Sequence, residues 1–323
     1  MNSKNILVLG RGAAGLLAAL ELLKAGHKVT ILGKAAVSSE ESYVQVIPVK
    51  SADLRLEGWS HASIDFFRHL SDDPDSGVKL RTFYKFHGEI VEPWFLGTFE
   101  GVRHARPDEI LNPVYKDATV LEDFPVIDPA IYLPWLARQV SALGGTFVYG
   151  ELEHWSDVPN DYDGVVACMG LGGLHLIDDP LLQPELMQIV RLKNDRFKHI
   201  QHVFIDDDGP NQLATIIPHA SHLALGAVLN GPTDTTLALT NENTLKILDR
   251  CSKMLPGFDP RLDEVLKITR IARPKRPAIV HQLENIPTGD GRVLPVFVTR
   301  GFHGMTYCAA SSVDEIVDTL SAL

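Results

Sequence analysis

The sequence predicts a mixed α/β and α+β fold, in which a Rossmann-like domain is joined to a second domain with a largely antiparallel sheet. Three observations lead to this prediction. The chain opens on a strand, a glycine-containing turn and a helix; its middle is a series of short strands; and it ends on another strand, glycine turn and helix. Strands separated by helices indicate a parallel sheet, whereas consecutive strands indicate an antiparallel one. We therefore expect the first domain to be discontinuous in sequence.

The opening segment has the pattern of a dinucleotide-binding βαβ unit. Residues 6–9 form a short apolar run, residues 13–25 are rich in Ala and Leu, and residues 27–32 are apolar and β-branched. Three glycines with G-x-G-x-x-G spacing join the first two pieces: Gly10, Gly12 and Gly15. In such a unit the glycines permit a tight turn, close approach of a pyrophosphate and close packing of the helix. The positive end of the helix then favours phosphate, so a nucleotide site is preferred over a purely structural turn.

One expected residue of this unit is missing. An acidic side chain usually ends the second strand and holds the adenosine ribose, but Gly33 stands there, followed by Lys34. Either the ribose is held by other groups, or Lys34 favours a 2′-phosphate and hence NADP. The motif by itself leaves NAD(P) and FAD open.

Composition narrows the class of protein. The 323 residues carry a formal net charge of −11, which disfavours a nucleic-acid partner. Cys168, Cys251 and Cys308 lack C-x-x-C spacing and are typical of reduced thiols in the cytoplasm, and no Cys/His cluster has the spacing of a metal site. The first strand begins too early for a signal peptide, and no stretch has the apolar length of a membrane span. We expect a cytoplasmic protein with a small-molecule ligand, no metal and no membrane attachment.

The rest of the first half predicts further elements. We expect strands at 43–49, 79–91, 146–149 and 164–167, and helices around 64–70 and 130–143. Residues 97–127, with three prolines, are predicted to be irregular, with their charges facing solvent. The strand at 164–167 runs into Cys168-Met169-Gly170, which brings backbone near a ligand at the carboxyl edge of the sheet.

The second half predicts an antiparallel meander followed by a return to the first domain. The expected strands are 188–192, 202–205, 213–218, 222–227, 268–272 and 293–298. The expected helices are 241–254, 261–265 and 310–320. A basic segment with two prolines lies at 273–277.

Over nearly its whole length the chain resembles the D-amino-acid oxidase family, to which glycine oxidase and related flavin amine oxidases belong. The resemblance rests on the order and spacing of these segments: the glycines at 10, 12 and 15, Cys168-Met169-Gly170, Asp179-Pro180-Leu181-Leu182-Gln183-Pro184, the strand at 188–190, Thr215-Ile216-Ile217-Pro218, Leu225-Gly226, Arg273-Pro274-Lys275-Arg276-Pro277, and Gly301-Phe302-His303-Gly304-Met305-Thr306.

The resemblance implies FAD as the cofactor. The residues expected to bind it are Gly10, Gly12, Ala13, Ala14, Gly15, Lys34, Ser38, Ser39, Gly170, Gly301, Gly304, Met305 and Thr306. It also implies a discontinuous FAD-binding domain, residues 1–50, 140–185 and 280–323, and a substrate domain, residues 51–139 and 186–279.

The same resemblance implies oxidation of the C–N bond of an amino acid or related amine. In that mechanism hydride passes to flavin N5, an imine forms, and oxygen or another acceptor reoxidises the flavin, with peroxide as the product of oxygen. The first arginine of the Arg-Pro segment, Arg273, is expected to grip the substrate carboxylate, as the guanidinium fork allows, whereas Arg276 is interpreted as structural. Gln45 and Thr215 are expected at the substrate. His303 is a candidate to tune protonation, against a purely structural histidine.

The chain also departs from the family pattern. Gly33 replaces the acid, Ser42-Tyr43-Val44 replaces a small Ala-Ala-Gly segment, and Thr215 and Asn211 stand where the family has pocket tyrosines. These departures predict a specialised amine or amino-acid substrate.

Two alternative functions remain at this stage: an NAD(P)-dependent reductase, suggested by Gly33 and Lys34, and a degenerate nucleotide-binding protein without catalysis. The oligomeric state is not predicted.

Overall fold

The structure, a computed structural model, describes residues 2–34, 38–42, 44–49, 53–229, 238–301 and 310–323. Four residues predicted to act at the cofactor or in catalysis lie outside these ranges: His303, Gly304, Met305 and Thr306. Ser38 and Ser39 are described by their backbone only. Within the described ranges the chain forms fifteen strands and five α-helices.

The helices are α1 (Ala13–Lys24), α2 (Leu54–Leu70), α3 (Pro129–Ala142), α4 (Asn241–Met254) and α5 (Ser311–Ser321). The strands are β1 (Asn5–Leu9), β2 (Lys28–Gly33), β3 (Val44–Gln45), β4 (Val78–His87), β5 (Val102–His104), β6 (Asp117–Ile127), β7 (Thr146–Tyr149), β8 (Gly164–Ala167), β9 (Gln183–Lys193), β10 (Val203–Asp206), β11 (Ala214–Pro218), β12 (His222–Leu229), β13 (Val265–Lys275), β14 (Val280–Pro287) and β15 (Val293–Arg300).

The chain divides into two compact units. Unit 1 comprises Met1–Val78, Pro129–Pro184 and Ala272–Leu323, and unit 2 comprises Lys79–Asp128 and Glu185–Ile271. Unit 1 contains both chain ends, so it is discontinuous in sequence. Among the described residues, none of the helices combines the length and the apolar character that crossing a bilayer requires.

Unit 1 is built on a six-stranded sheet in the order β14-β15-β8-β1-β2-β7. All neighbours are parallel except β14 and β15, which form an antiparallel hairpin. Parallel strands are covered on both faces and are therefore apolar along their length, as the buried residues of β1 and β8 illustrate. Helix α1 buries its Ala and Leu side chains and packs against α3 and α5. The predicted βαβ unit is confirmed.

Unit 2 is built on a larger sheet in which β13-β9-β12-β11-β10-β4-β6 follow one another. The predicted antiparallel arrangement is confirmed, but only β10, β11 and β12 form a meander, because β9 pairs with β12 rather than with β10. Strand β10 then pairs parallel with β4. Helix α4 covers one face, where its Ile247, Cys251 and Met254 join a core with Ile216 and Leu225. Since side chains alternate along a strand, Thr215 belongs to the opposite face of β11.

The predicted irregularity of residues 97–127 holds for 97–101 and 105–116, which contain only turns and one 3₁₀ turn, but is wrong for the rest. The segment contains β5 and the eleven-residue strand β6, whose Ala118, Val120 and Phe124 are fully buried. Pro125 and the positive φ of Asp123 (56°) interrupt the local sequence pattern without ending the strand, because pairing and burial of β6 override local propensity. The charges of this segment do not all face solvent either: Asp117 is buried, and Arg103 pairs with Glu109 at 2.7 Å.

Three smaller predictions also need correction. The helix at 261–265 is only a 3₁₀ turn over Leu262–Glu264, and the strand at 43–49 reduces to β3. Strand β14 was not predicted. It is partly exposed and carries His, Gln, Glu and Asn, so its apolar pattern is weak; the Gly289 and Gly291 turn that follows was the signal for a hairpin.

Candidate functional site

Several predicted site residues lie where strands of the unit 1 sheet end. Strands β1, β2, β8 and β15 are mutually parallel, so their carboxyl ends share one edge of the sheet. Gly10 follows β1, Lys34 follows β2, and Gly301 follows β15. Gly170 follows β8 after two residues and begins a 3₁₀ turn. This edge therefore gathers the glycine turns that the sequence predicts far apart along the chain.

Gly10 is held so closely that a side chain cannot fit. Its φ is +109°, and a Cβ there would lie 2.3 Å from the backbone oxygen of Cys168. Two hydrogen bonds fix the turn: Gly10 N–H donates to Leu32 O at 2.8 Å, and Cys168 N–H donates to Leu9 O at 2.8 Å. The ends of β1, β2 and β8 are thus joined through backbone groups alone.

The start of α1 likewise has no capping side chain and no acidic side chain. Gly12 is the N-cap residue and supplies no side-chain cap, and the first turn holds no acidic residue. A Cβ on Gly15 would lie 2.0 Å from Gly10 O, so the helix packs directly on the turn. A helix start with these features offers backbone N–H groups and a positive dipole end to a phosphate.

The β8 turn contains a thiol that is structural rather than reactive. The Thr299 hydroxyl lies 3.2 Å from Ala167 O and 3.5 Å from the Cys168 sulfur. Desolvation raises the pKa of Cys168 to about 11. A thiol with that pKa is protonated at neutral pH and is a poor nucleophile.

Beyond β15, a buried ion network supports the second glycine turn. Arg276 donates from Nε to Asp179 Oδ2 at 2.9 Å, and Arg300 donates to Glu284 at 2.7 Å. A Cβ on Gly301 would lie 2.6 Å from the Arg276 Cβ. Arg276 therefore has the structural role expected of it, since it packs against the turn and pairs with a buried carboxylate.

The residues predicted at the substrate are distributed over both units. Thr215 is buried in β11 of unit 2, and its carbonyl oxygen lies 3.5 Å from the Cys251 sulfur. Arg273 is half-buried in β13, in the part of that strand that belongs to unit 1. Gln45 lies in β3 of unit 1.

Asn211, which takes a pocket position of the resembled family, belongs to a buried polar network in unit 2. Its amide Nδ2 donates to the Tyr115 hydroxyl oxygen at 2.9 Å, and that hydroxyl donates to Asp206 Oδ2 at 2.6 Å. Asp206 also accepts from the backbone N–H groups of Gly209 at 2.7 Å and Asn211 at 2.9 Å. Burial raises the pKa of Tyr115 well above its usual range. Asn211 is thus fixed in position rather than free to rotate.

Comparison with known proteins identifies the family. Residues 5–313 match the family model described as FAD dependent oxidoreductase. The chain belongs to this family of FAD-dependent oxidoreductases.

Individual proteins with known names are also similar to the chain. It is 29% identical over 292 residues to a D-amino-acid oxidase of Dictyostelium discoideum, with 87% of this chain and 81% of that protein covered. It is 27% identical to human D-aspartate oxidase, with 92% and 88% covered. The crystal structure of glycine oxidase from Geobacillus kaustophilus has the same fold, with a TM-score of 0.78 at 15% identity and 99% and 95% covered.

FAD fits the geometry of this oxidoreductase. The Gly10 and Gly15 positions exclude a Cβ, and Gly12 leaves the helix start uncapped, as a pyrophosphate requires. Separately, the buried Oε1 of Gln45 in β3 accepts no hydrogen bond from any part of the chain that the structure describes. An unsatisfied buried acceptor costs about 1–3 kcal/mol, which a bound donor group would relieve.

Sequence reasoning missed two side chains near the end of β2. Arg11 is the first variable residue of the glycine motif, and Glu151 follows β7, the neighbour of β2. Glu151 pairs with Lys34 at 2.8 Å, and the hydrogen bond from Lys34 lowers its pKa. A basic residue inside a glycine motif was a visible signal; the position of Glu151 depends on the pairing of β2 with β7 and was not.

Proposed function

We propose that this oxidoreductase oxidises the C–N bond of a small amino acid or related amine that carries a carboxylate. The three named relatives are oxidases whose names specify glycine, D-aspartate or D-amino acids. The observation that carries the proposal is the shared edge of the unit 1 sheet, where the turns after β1 and β8 approach each other so closely that no side chain fits at Gly10. That arrangement suits an extended nucleotide cofactor and leaves the chemistry to the cofactor.

We assign the cofactor's phosphates to the turn after β1 and the start of α1, that is, to Gly10, Gly12, Ala13, Ala14 and Gly15. Lys34, Ser38 and Ser39 belong to the same end. Gly170, Gly301, Gly304, Met305 and Thr306 are assigned to the flavin end. Bound FAD supplies the two-electron acceptor for the substrate. On this assignment unit 1 is the cofactor domain, and unit 2 is the substrate domain.

The chain's own residues bind and orient the substrate. Arg273 presents a guanidinium that can hold a carboxylate through two parallel hydrogen bonds. Thr215 offers a small side chain where a tyrosine would fill space, so it admits a bulkier or more polar substrate group. The Gln45 Oε1 can accept a hydrogen bond from a substrate amine or from the cofactor. We assign to His303 the tuning of the amine's protonation, because its unperturbed pKa is close to neutrality.

We further propose that the protein works in the cytoplasm and that molecular oxygen is its electron acceptor, with hydrogen peroxide as product. Cys168 and Cys251 are both free thiols, which supports a reducing compartment. The oxidase names of the relatives support oxygen as the acceptor.

The test is an anaerobic screen of the purified flavoprotein with glycine, D-alanine, D-aspartate and their L and N-methyl counterparts, with loss of flavin absorbance as the readout. For a substrate so found, Arg273→Ala is expected to raise KM by about 100-fold, because a charge-assisted fork contributes roughly 3 kcal/mol. Arg273→Lys should fall between, since it keeps the charge and loses the fork.

Arg270→Ala is the matched control, because Arg270 lies on the same strand and is exposed. We expect its KM to equal that of the unaltered protein. FAD content is measured in parallel by absorbance and should be equal in all variants. An unchanged KM in Arg273→Ala would remove this residue from the substrate site, and a flavoprotein that no amine reduces would contradict the proposed reaction.

A further inference from the structure

The end of β2 carries the side chain of Arg11 in the space where a ribose-binding acid would stand. A Cβ built on Gly33 would lie 2.8 Å from Arg11 Cγ and 3.2 Å from Arg11 Cδ. The two positions therefore compete for one space: a side chain at 33 would displace the Arg11 side chain from the position it has here.

The guanidinium of Arg11 is held in a defined place. It lies over the ring of Tyr149, 4.5 Å from the centroid, and within 5.2 Å of the Phe147 centroid. Both aromatic residues are on β7, which pairs with β2 in the register Gly33↔Tyr149 and Ile31↔Phe147. Nη1 of Arg11 also donates a hydrogen bond to the backbone oxygen of Lys34 at 3.5 Å. Stacking on two rings restricts the side chain in advance of ligand binding.

The Nε donor of this guanidinium has no acceptor among the residues that the structure describes. Nε of Arg11 is buried and finds no hydrogen-bond partner among the described residues of the chain. A buried charged donor without an acceptor is costly. Ligand oxygens would reach the exposed Nη end of the group instead, and the group stands next to the turn assigned to the cofactor's phosphates.

The end of β2 is also positively charged, whereas a dinucleotide site usually has an acidic residue there. Lys34 and Arg11 are both cationic, and the nearby carboxylate of Glu151 is already paired with Lys34 at 2.8 Å. A carboxylate at position 33 would accept hydrogen bonds from ribose hydroxyls. A guanidinium instead donates to hydroxyl and phosphate oxygens, and its attraction to phosphate is charge-assisted.

We propose that Arg11 is a cofactor-binding residue that replaces the ribose carboxylate, by donating hydrogen bonds to the ribose and phosphate oxygens of the adenosine half of FAD. This inference concerns how the cofactor is held and does not depend on the substrate proposal. It also makes this end of the site accept a 2′-phosphate, which a carboxylate at position 33 would repel.

The experiment follows release of FAD from the purified holoenzyme by the rise in flavin fluorescence on dilution, at about 0.05 M and about 0.5 M NaCl, since salt screens exposed phosphate contacts. Arg11→Ala is expected to release FAD about tenfold faster at low salt, the effect of roughly one charge-assisted hydrogen bond. Its release should depend less on salt than that of the unaltered protein. Arg55→Ala is the matched control, because the Arg55 guanidinium also lies over an aromatic ring, 5.2 Å from the centroid of Trp59, and both residues belong to α2 rather than to the β1–α1 turn.

The decisive variants place an acidic residue at position 33, where dinucleotide sites usually have one. Gly33→Glu alone should hold FAD poorly, since the new side chain meets Arg11. Arg11→Ala combined with Gly33→Glu should return FAD release to within about threefold of the unaltered protein, because the carboxylate then has both space and its normal partner. In competition with FAD, adenosine 2′,5′-bisphosphate should outcompete 5′-AMP in the unaltered protein and lose that advantage in the double variant.

Three results would overturn the proposal. One is FAD release from Arg11→Ala at the unaltered rate at both salt concentrations, even with a lowered melting temperature, since that is the signature of a purely structural arginine. Another is a double variant that retains FAD no better than Arg11→Ala. If Arg11→Ala does not fold, Arg11→Lys provides the test: it should keep the salt dependence and release FAD about threefold faster, and release identical to the unaltered protein would again refute the role.

Discussion

The two units solve the same problem, placing functional groups at the ends of strands, by opposite means. In unit 1 the turns after β1 and at the start of α1 work through the absence of side chains, with backbone atoms so close that a Cβ would collide. In unit 2 the corresponding positions are held by side chains, in the buried network of Tyr115, Asp206 and Asn211. The difference teaches that the glycine turns of unit 1 are recognisable from local glycine spacing, whereas the polar network of unit 2 is visible only once distant segments are brought together.

The strongest test of this contrast is Gly10→Ala in unit 1. The φ of +109° and the 2.3 Å approach of a Cβ to Cys168 O leave no relaxed solution. We expect a loss of about 3–5 kcal/mol in the free energy of unfolding, from strain and overpacking together, and protein without bound FAD. Urea unfolding and the visible absorption spectrum measure the two effects.

Gly26→Ala is the control for that prediction. Gly26 also has a positive φ, +89°, but a Cβ there meets nothing within 4 Å. It should cost only about 1 kcal/mol, the conformational term alone, with FAD retained. Equal losses at the two glycines would mean that backbone conformation, not the close approach to Cys168, governs the turn.

The counterpart in unit 2 is Asp206→Asn. The buried carboxylate accepts from Tyr115 and from two backbone N–H groups. An amide NH₂ would face one of these donors, so we expect a loss of about 3 kcal/mol in unfolding free energy. FAD content should stay normal, because the network belongs to unit 2. Asp207→Asn, at an exposed ion pair with Lys85, should cost less than about 1 kcal/mol; a similar loss at both positions would contradict the importance of the network.

The smallest predicted effect is on the pH dependence of stability, and it arises from a buried histidine of unit 1, His281. His281 is buried between Trp59 and Phe297, and burial lowers its pKa from 6.5 to about 4. The unfolded chain therefore binds more protons between these values, and stability falls as pH falls. From about pH 7 to about pH 5 we expect His281 to account for a loss of about 2 kcal/mol.

His281→Phe removes the titrating group and keeps a ring. Its unfolding free energy, measured by urea titration at the two pH values, should vary less with pH than that of the unaltered protein. His199→Gln, at an exposed histidine, should leave the pH dependence unchanged. If His281→Phe retains the full pH dependence, the acid sensitivity arises elsewhere in the protein.

Much of unit 1 could be predicted from the sequence because its signals are local. Residues 5–33 contain the strand, the three glycines and the helix in one continuous run, and β1, α1 and β2 match the prediction within two residues at each end. Gly26 ends α1 with a positive φ, as its position after the helix indicates. The cofactor followed from the same run together with the family resemblance.

Unit 2 was predicted less completely because its order depends on pairing across the chain. Strand β6 looks irregular in isolation, yet it is a largely buried strand that lies between β4 and β3 in the larger sheet. Tyr115 comes from the same stretch, so its partnership with Asp206 could not be anticipated. The ion pair of Glu151 with Lys34 in unit 1 was missed for a similar reason, since it depends on the side-by-side placement of β2 and β7.

The hydrogen bonds around Gly10 have a consequence for the order in which the protein is made. The turn after β1 is completed by Cys168, which the ribosome adds more than 150 residues later, and β15 joins the same edge only near the end of synthesis. An emerging N-terminal segment, although it carries the whole glycine fingerprint, thus lacks the neighbours that shape it. We expect a chain stopped before β8 to capture no FAD, so cofactor loading is a late step of biogenesis and the fingerprint is not a transplantable module.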